Sequence, residues 1–340
     1  KVRFLALIDI RYDSLGEVMK GFQLIATGAG IPSRVVTNDD LSRIVDTSDE
    51  WITTRTGIKQ RRFCAEGEDG GSLSIAAARQ ALENSGLDPA QIGCVICATI
   101  AGRYLSPSNA CLIQMELGLP QDIPVLDINA ACSGFVYATA AARGLLEGCG
   151  SDSRPYALIV GCEQLSVLMD MTDRSTCVLF GDAAGAAIFR LCDTPFAVDL
   201  GARGDMAITV PKGGPIQMDG SAVFRFAVDA LPRSLHAVLE KTNQTLDDLD
   251  WVVCHQANSR IIDHCVKKLK ADPAKFYKNM DRYGNTSAAS VPVALHELAE
   301  QGRLQPGMHV ACVGFGGGLT WGGMAFTVGE TLNAHRAEQR

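Results

Sequence analysis

Three short segments carry side chains suited to covalent chemistry on a carbonyl group. In Asp127-Ile-Asn-Ala-Ala-Cys-Ser-Gly134 an apolar run, 123–128, leads into a helical pattern through Phe135, Tyr137 and Leu145, so Cys132 stands at a strand-to-helix turn. Unpaired backbone N–H groups and the positive end of the helix dipole meet there and favour the thiolate, the nucleophilic form of cysteine. His255, in Trp251-Val-Val-Cys-His-Gln-Ala-Asn258, stands at the polar exit of an apolar strand, where an imidazole can face a cleft. Asn285, in Asp281-Arg-Tyr-Gly-Asn-Thr-Ser-Ala-Ala-Ser290, lies in a tight turn before an apolar helix. Each has a plainer reading alone: one buried thiol among 12 cysteines, a satisfied structural histidine, and a helix cap. Taken together they differ from that, because all three sit at element ends. The glycine loop from Gly314 to Gly323 would let backbone N–H groups approach a substrate oxygen. It lacks the order and the following helix of a dinucleotide site.

The elements that must position these residues are written twice. Leu82 to Cys97 is echoed by Leu239 to Cys254 at a constant offset of 157 residues, each copy reading as a helix end, a polar turn and a short buried strand. Tyr156–Gly161 and His309–Gly314 form a second echo, both apolar strands ending at glycine. The expected fold class is therefore α/β, with two pseudo-symmetric repeats, layered sheets, and a helix layer shared between them. The expected division is an extension at 1–20, a first half at 21–193 with Cys132, a second half at 194–330 with His255 and Asn285, and a tail at 331–340. A site is expected where the halves meet.

Composition narrows the function classes. The chain is 47% hydrophobic with a formal net charge of −7, which fits a globular protein and argues against an extended nucleic-acid surface. Its cysteines sit mostly in apolar runs and read as reduced core thiols; Cys94 and Cys97 form a CxxC with no second pair at zinc spacing, so no metal is expected. Lys1 to Lys20 carries Asp9, Asp13 and Glu17 and does not read as a signal peptide; the uncharged stretch Gln305–Gly329 is broken by glycines and reads as strand–loop–strand. No membrane association is expected, and the expected location is the cytoplasm.

Several further motifs carry a resemblance. Asp46-Thr-Ser-Asp-Glu-Trp-Ile52 with Arg55-Thr-Gly-Ile58, the Ala-Ala-Cys-Ser-Gly stretch ending at Gly134, His255-Gln-Ala-Asn258, Gly284-Asn-Thr-Ser-Ala-Ala-Ser290 and Phe315-Gly-Gly-Gly-Leu-Thr-Trp321 occur together and in order. From about Gly21 onward the chain resembles the β-ketoacyl-[acyl carrier protein] synthase III branch of the thiolase-fold condensing enzymes. The resemblance implies a layered αβαβα sandwich and a Cys-His-Asn site, with Asn285 as the discriminating residue. It implies that Cys132 takes an acyl group from acyl-coenzyme A, a substrate rather than a cofactor, with the N–H groups of Cys132 and Gly317 holding the oxyanion. His255 and Asn285 would then stabilise the enolate formed from malonyl-[acyl carrier protein], beside an apolar wall from Phe315.

Other assignments mix residue logic with that resemblance. Trp51 and Arg55 are spaced i, i+4 on a short helix that Thr47 or Ser48 would cap, so a ring and a cation point the same way. The resemblance adds Arg174 as the other side of an adenine clamp, and Gly220, Phe224 and Asn258 along a pantetheine tunnel. The amphipathic stretch 259–270 carries Arg260, Lys267 and Lys268 on an acidic chain, a surface that would steer an acidic carrier protein. A homodimer is implied by the resemblance alone. Ser106 occupies a position from which family members often fill the partner subunit's acyl pocket with a bulky side chain. Its small size puts strict acetyl selectivity in doubt. The rival readings are a synthase using a different starter, a thioesterase that only hydrolyses acyl-coenzyme A, and a non-catalytic scaffold.

Overall fold

The structure is a computed structural model that describes residues 20–150 and 152–333. Residues 1–19 of the expected extension and 334–340 of the expected tail therefore lie outside the described residues.

Two sheets are built on one plan. In the first half the strands are β1 (Gly21–Gly30), β2 (Ile92–Ala98), β3 (Val125–Ile128), β4 (Tyr156–Glu163) and β5 (Ala183–Cys192), in the spatial order β1-β5-β4-β2-β3. In the second half they are β6 (Ala197–Asp205), β7 (Trp251–Cys254), β8 (His309–Gly316) and β9 (Gly318–Thr327), in the order β7-β8-β9-β6. The pairings match across the halves: β2 with β4 and β7 with β8 are parallel, whereas β4-β5-β1 and β8-β9-β6 run antiparallel. Where β3 completes the first sheet, the second has a single parallel bridge between Val252 and Phe276. The turn at 193–196 separates the last strand of one sheet from the first of the other.

Helices fill three layers. α1 (Asp49–Thr56) stands at the surface, while α2 (Gly70–Ser85) and α3 (Asn109–Leu117) cover the outer face of the first sheet. α5 (Gly220–Thr242) and α6 (Ser259–Leu269) cover the second. Between the sheets lie α4 (Gly134–Cys149), on β2 and β4, and α7 (Ser290–Glu300), on β5 and β1. Strands such as Ile92-Gly-Cys-Val-Ile-Cys-Ala98 are buried along their whole length, because helices cover both faces. Their alternation separates the CxxC pair: Cys94 joins the central core with Phe135 and Ile159, and Cys97 joins the outer core with Ala77 and Val160. The two thiols lie on opposite faces of one strand, so they cannot share a metal. All 12 cysteines are free thiols, and no helix among the described residues is long and apolar enough to cross a membrane.

The central layer holds the halves together. Phe189 of β5 is fully buried; its ring stacks on Phe22 at 5.1 Å and meets Phe326 of β9 edge-on at 5.1 Å, linking one sheet to the other. Such contacts add specific geometry to burial of large apolar surface. The chain also closes on itself, since the Asn333 side chain accepts from the Thr27 N–H at 3.1 Å. Phe189→Ala is expected to destabilise the protein by about 3–5 kcal/mol, read from the midpoint of urea unfolding. A shift below about 1 kcal/mol would mean that the central layer does not clamp the halves.

Candidate active site

Two tight turns create the site, one from each half. In the first, Ala131–Ser133 forms a single 3-10 turn that runs into α4; in the second, Ser287–Ala289 does the same ahead of α7. The turns are equivalent at an offset of 156 residues. Asn129 Oδ1 accepts from the Ala131 N–H at 3.2 Å, and Asn285 Oδ1 accepts from the Ser287 N–H at 2.9 Å. Ala131 and Ser287 both have left-handed backbone, φ 46° and φ 48°, which is strained for residues with a side chain.

Each turn crosses to the opposite half. A Cβ on Gly161 of β4 would lie 2.2 Å from the Ala288 carbonyl oxygen, and one on Gly314 of β8 would lie 3.3 Å from the Cys132 carbonyl oxygen. The two strand-ending glycines of the sequence echo are thus the places where a strand of one half passes against the turn of the other. Gly316 is closer still: its Cβ would lie 2.6 Å from the Cys132 nitrogen. Sequence reasoning singled out Gly317, which lies against Ala131 and Ile208, and missed the part played by Gly316.

Cys132, His255 and Asn285 come together in the lining of one cavity of about 1430 Å³, with Ser287, Phe315 and Gly317 beside them. Cys132 is half-buried and open to the cavity. Burial pushes its thiol up to about 12, and the contacts from the Ser287 hydroxyl and its own N–H offset this only in part. Burial thus opposes the thiolate that the helix terminus is expected to favour.

His255 leaves the end of β7 and is 1% exposed, with its backbone N–H on the Val313 carbonyl of β8. Burial lowers its pKa to about 3, so the ring is neutral. Nδ1 lies 2.7 Å from the Ser290 hydroxyl at the start of α7. That hydroxyl is buried, it receives the Gln256 N–H at 3.4 Å, and Nδ1 is its one described acceptor. A buried hydroxyl gives its proton to an acceptor when one is present, so Nδ1 accepts and Nε2 carries the hydrogen. Nε2 is buried without a protein partner, leaving an N–H donor for a bound molecule. Phe315 sets its ring edge-on to the imidazole at 5.3 Å. The bond from Ser287 N–H to Asn285 Oδ1 leaves the Asn285 NH2 group as the second donor.

The expected outer residues divide. Ser48, rather than Thr47, caps α1, and the Arg55 guanidinium lies 4.8 Å from the Trp51 ring centroid. Arg174 lies over the same ring at 4.9 Å and donates to the Asp46 carbonyl at 2.8 Å. Trp51, Arg55, Gly220, Phe224, Asn258 and Arg260 line the cavity. Asn258 also caps α6 and donates to the Arg55 carbonyl at 3.1 Å. Lys267 and Lys268 stand in the exposed last turn of α6, where Lys268 is paired with Asp229 at 3.3 Å. Sequence reasoning missed Ser290, Ser287 and the buried Glu163. The match of Asn129-Ala-Ala to Asn285-Thr-Ser was the available signal for Ser287; nothing local marks Glu163.

Layers and site together define a thiolase-fold condensing enzyme. Family models described as 3-oxoacyl-[acyl-carrier-protein] synthase III and its C-terminal part match residues 126–204 and 239–328. The chain is 44% identical over 311 residues to a β-ketoacyl-[acyl-carrier-protein] synthase III of Acholeplasma laidlawii, covering 90% of this chain and 98% of the relative. It is 40% identical over 326 residues to one from Clostridium botulinum, with the same coverage. The crystal structure of a 3-oxoacyl-[acyl-carrier-protein] synthase III from Aquifex aeolicus superposes with a TM-score of 0.86 at 40% identity, covering 90% of this chain and all of that one. This chain belongs to the β-ketoacyl-[acyl-carrier-protein] synthase III family of condensing acyltransferases.

In a nitrogen-labelled sample, His255 is expected to remain the neutral Nε2–H tautomer from about pH 5 to about pH 8, since burial puts its pKa well below that window. The imidazole nitrogen shifts in an NMR titration check this. Protonation within the window, or a dominant Nδ1–H form, would overturn the donor assignment.

Proposed function

We propose that Cys132 is acylated by an acyl-coenzyme A primer and then condensed with malonyl-[acyl carrier protein], the step that initiates fatty acid biosynthesis. The observation that carries this reading is the meeting, in one cavity, of a thiol with two neutral donors, His255 Nε2–H and the Asn285 amide. In acyl transfer the Cys132 sulfur bonds to the thioester carbon, the bond to the coenzyme A sulfur breaks, and the proton leaves on coenzyme A. The N–H groups of Cys132 and Gly317 hold the oxyanion, on a glycine strand that passes within contact of Cys132.

In condensation the malonyl carboxylate leaves as carbon dioxide, and its bonding pair forms an enolate whose oxygen receives the two donors. Neutral donors suit a charge that exists only along the reaction path, since binding concentrated there raises turnover. The enolate carbon then attacks the acyl carbonyl, the bond to the Cys132 sulfur breaks, and the departing thiolate takes one proton from solvent to restore the thiol. Phe315 is the apolar wall that disfavours the carboxylate. No metal or other cofactor takes part in this scheme.

Trp51, Arg55 and Arg174 take the adenine end of coenzyme A, while Gly220, Phe224 and Asn258 line the path of its pantetheine arm. Arg174 sits one stacking distance from Trp51, so an adenine between them requires Arg174 to leave Asp46 and swing aside. Arg260 and Lys267, which make no ion pair among the described residues, are the cations offered for carrier-protein docking; Lys268 contributes less, being held by Asp229. The chain acts in the cytoplasm as a homodimer. Leu105, 97% exposed beside Ser106 at the cavity rim, supports a second subunit covering this edge. The division into halves at 193/194 follows the turn between the two sheets.

The test supplies malonyl-[acyl carrier protein] and a panel of acyl-coenzyme A primers, with carbon dioxide and product mass followed together. Primer-dependent carbon dioxide and a product two carbons longer than the primer are expected. Cys132→Ala is expected to abolish acyl transfer. His255→Ala and Asn285→Ala are each expected to lower decarboxylation by on the order of 10²–10³-fold while Cys132 still acquires the acyl group. Acylation followed only by hydrolysis to free acid would instead make the protein a thioesterase.

A further inference from the structure

Arg61 is the largest fully buried side chain among the described residues, 0% exposed on the short strand Gln60–Phe63 that pairs with Arg34–Thr37. Its partners there are neutral oxygens. Nη1 donates to Asn38 Oδ1 at 2.8 Å and to the Val36 carbonyl at 3.3 Å, and Nη2 donates to the Val178 carbonyl at 2.8 Å. Nε is buried with no partner. Burial pulls the pKa down to about 10, against a smaller push from Cys177, so the guanidinium stays charged at neutral pH. A cation enclosed without a counter-ion is unfavourable, and an apolar side chain of similar volume often packs such a place as well or better. Stability alone therefore does not account for an arginine here.

What Arg61 holds is the wall behind Asn285. The segment 178–181 runs between the two residues. On one side the Val178 carbonyl takes Arg61 Nη2. On the other, the Leu179 carbonyl accepts from the Asn285 N–H at 2.8 Å and the Gly181 N–H donates to the Asn285 carbonyl at 2.9 Å, a parallel bridge centred on Phe180. The base of the Arg61 side chain packs against the same place: a Cβ on Gly181 would lie 3.1 Å from Arg61 Cβ, and one on Gly284 would lie 3.2 Å from it. The far end of the fork is fixed too. Asn38 is 1% exposed, and its Nδ2 donates to the Ile58 carbonyl and to Asp49 Oδ1, both at 2.8 Å, where Asp49 begins α1.

The Asn285 amide depends on this backing. Its Oδ1 is tied to the Ser287 N–H within the same turn, so the direction of its NH2 group follows the backbone at 285. That backbone is held by 179 and 181, which line up on Val178 and Arg61. We propose that Arg61 is a positioning residue for condensation: its fork, braced on Asn38, sets the depth at which the segment 178–181 holds the Asn285 donor in the cavity wall. A planar fork bonds in two fixed directions at once, which a lysine ammonium at the same position does not reproduce.

The inference rests on the reading of Asn285 as a condensation donor, and the experiment separates the two. Wild type, Arg61→Met and Arg61→Lys are acylated with saturating acyl-coenzyme A, and carbon dioxide release per acylated Cys132 is then timed with malonyl-[acyl carrier protein]. Each substitution is also made in Asn285→Ala protein. Acyl transfer does not use the Asn285 donor, so both Arg61 variants are expected to reach the wild-type acylated fraction. Carbon dioxide release per acylated site is expected to fall on the order of 10-fold in Arg61→Met and less in Arg61→Lys. In Asn285→Ala protein the same substitutions are expected to have no further effect, because they act through the residue already lost. An equal loss in both backgrounds, or no loss in either, would overturn the proposal, and Arg61→Lys decides if Arg61→Met fails to fold. Amide hydrogen exchange gives a readout apart from the chemistry. The Asn285 and Gly181 N–H groups are expected to exchange on the order of 10-fold faster in the variants, with the amides of β2 unchanged. Wild-type protein that acylates but releases no carbon dioxide would sink the condensation reading, while unchanged exchange at Asn285 and Gly181 would sink the role of Arg61 whatever the reaction.

Discussion

The structure depends on a reciprocal crossing: the tight turn of each half is pressed against a glycine on a central strand of the other. Gly161 of β4 meets the turn before α7, and Gly314 of β8 meets the turn before α4. Protein interiors are packed as densely as organic crystals, so an added methyl group at Gly161 would displace the Ala288 backbone, and one at Gly314 would press tightly on the Cys132 carbonyl. The same crossings carry Cys132 toward β8 and Ser287 toward β4. The site is therefore a product of how the halves are fastened.

A second consequence is electrostatic. The crossings bury polar side chains without supplying counter-charges, and burial is the largest cause that moves His255 down to about 3, Glu163 up to about 8 and Cys132 up to about 12, the last with a smaller push from Glu163. The floor thus holds neutral groups at rest, each aligned by a hydrogen bond: Ser290 on His255, the Ser287 N–H on Asn285, the Ser287 hydroxyl on Glu163. Charge that develops there meets fixed dipoles among buried groups, where they count for more than in solution. Toward the mouth the character changes to exposed arginines and lysines around Trp51 and α6, a surface whose attraction for anionic partners is long-range and salt-dependent.

The sequence by itself determined the double α/β plan, since period, β-branched runs and turn residues are local properties and occur twice at nearly the same spacing. It also marked Cys132, His255 and Asn285, because each stands at the end of an element that can be read along the chain. What it could not supply was the environment of those groups. The helix terminus at Cys132 argued for a thiolate, and only the packed structure shows the burial that opposes it. Ser290 and Glu163 were silent for the same reason: their partners stand 35 and 124 residues away, His255 within the same half and Ser287 across the interface of the two halves. Solvation and long-range hydrogen bonding are decided by what folds against a residue, and that is a property of the tertiary structure alone.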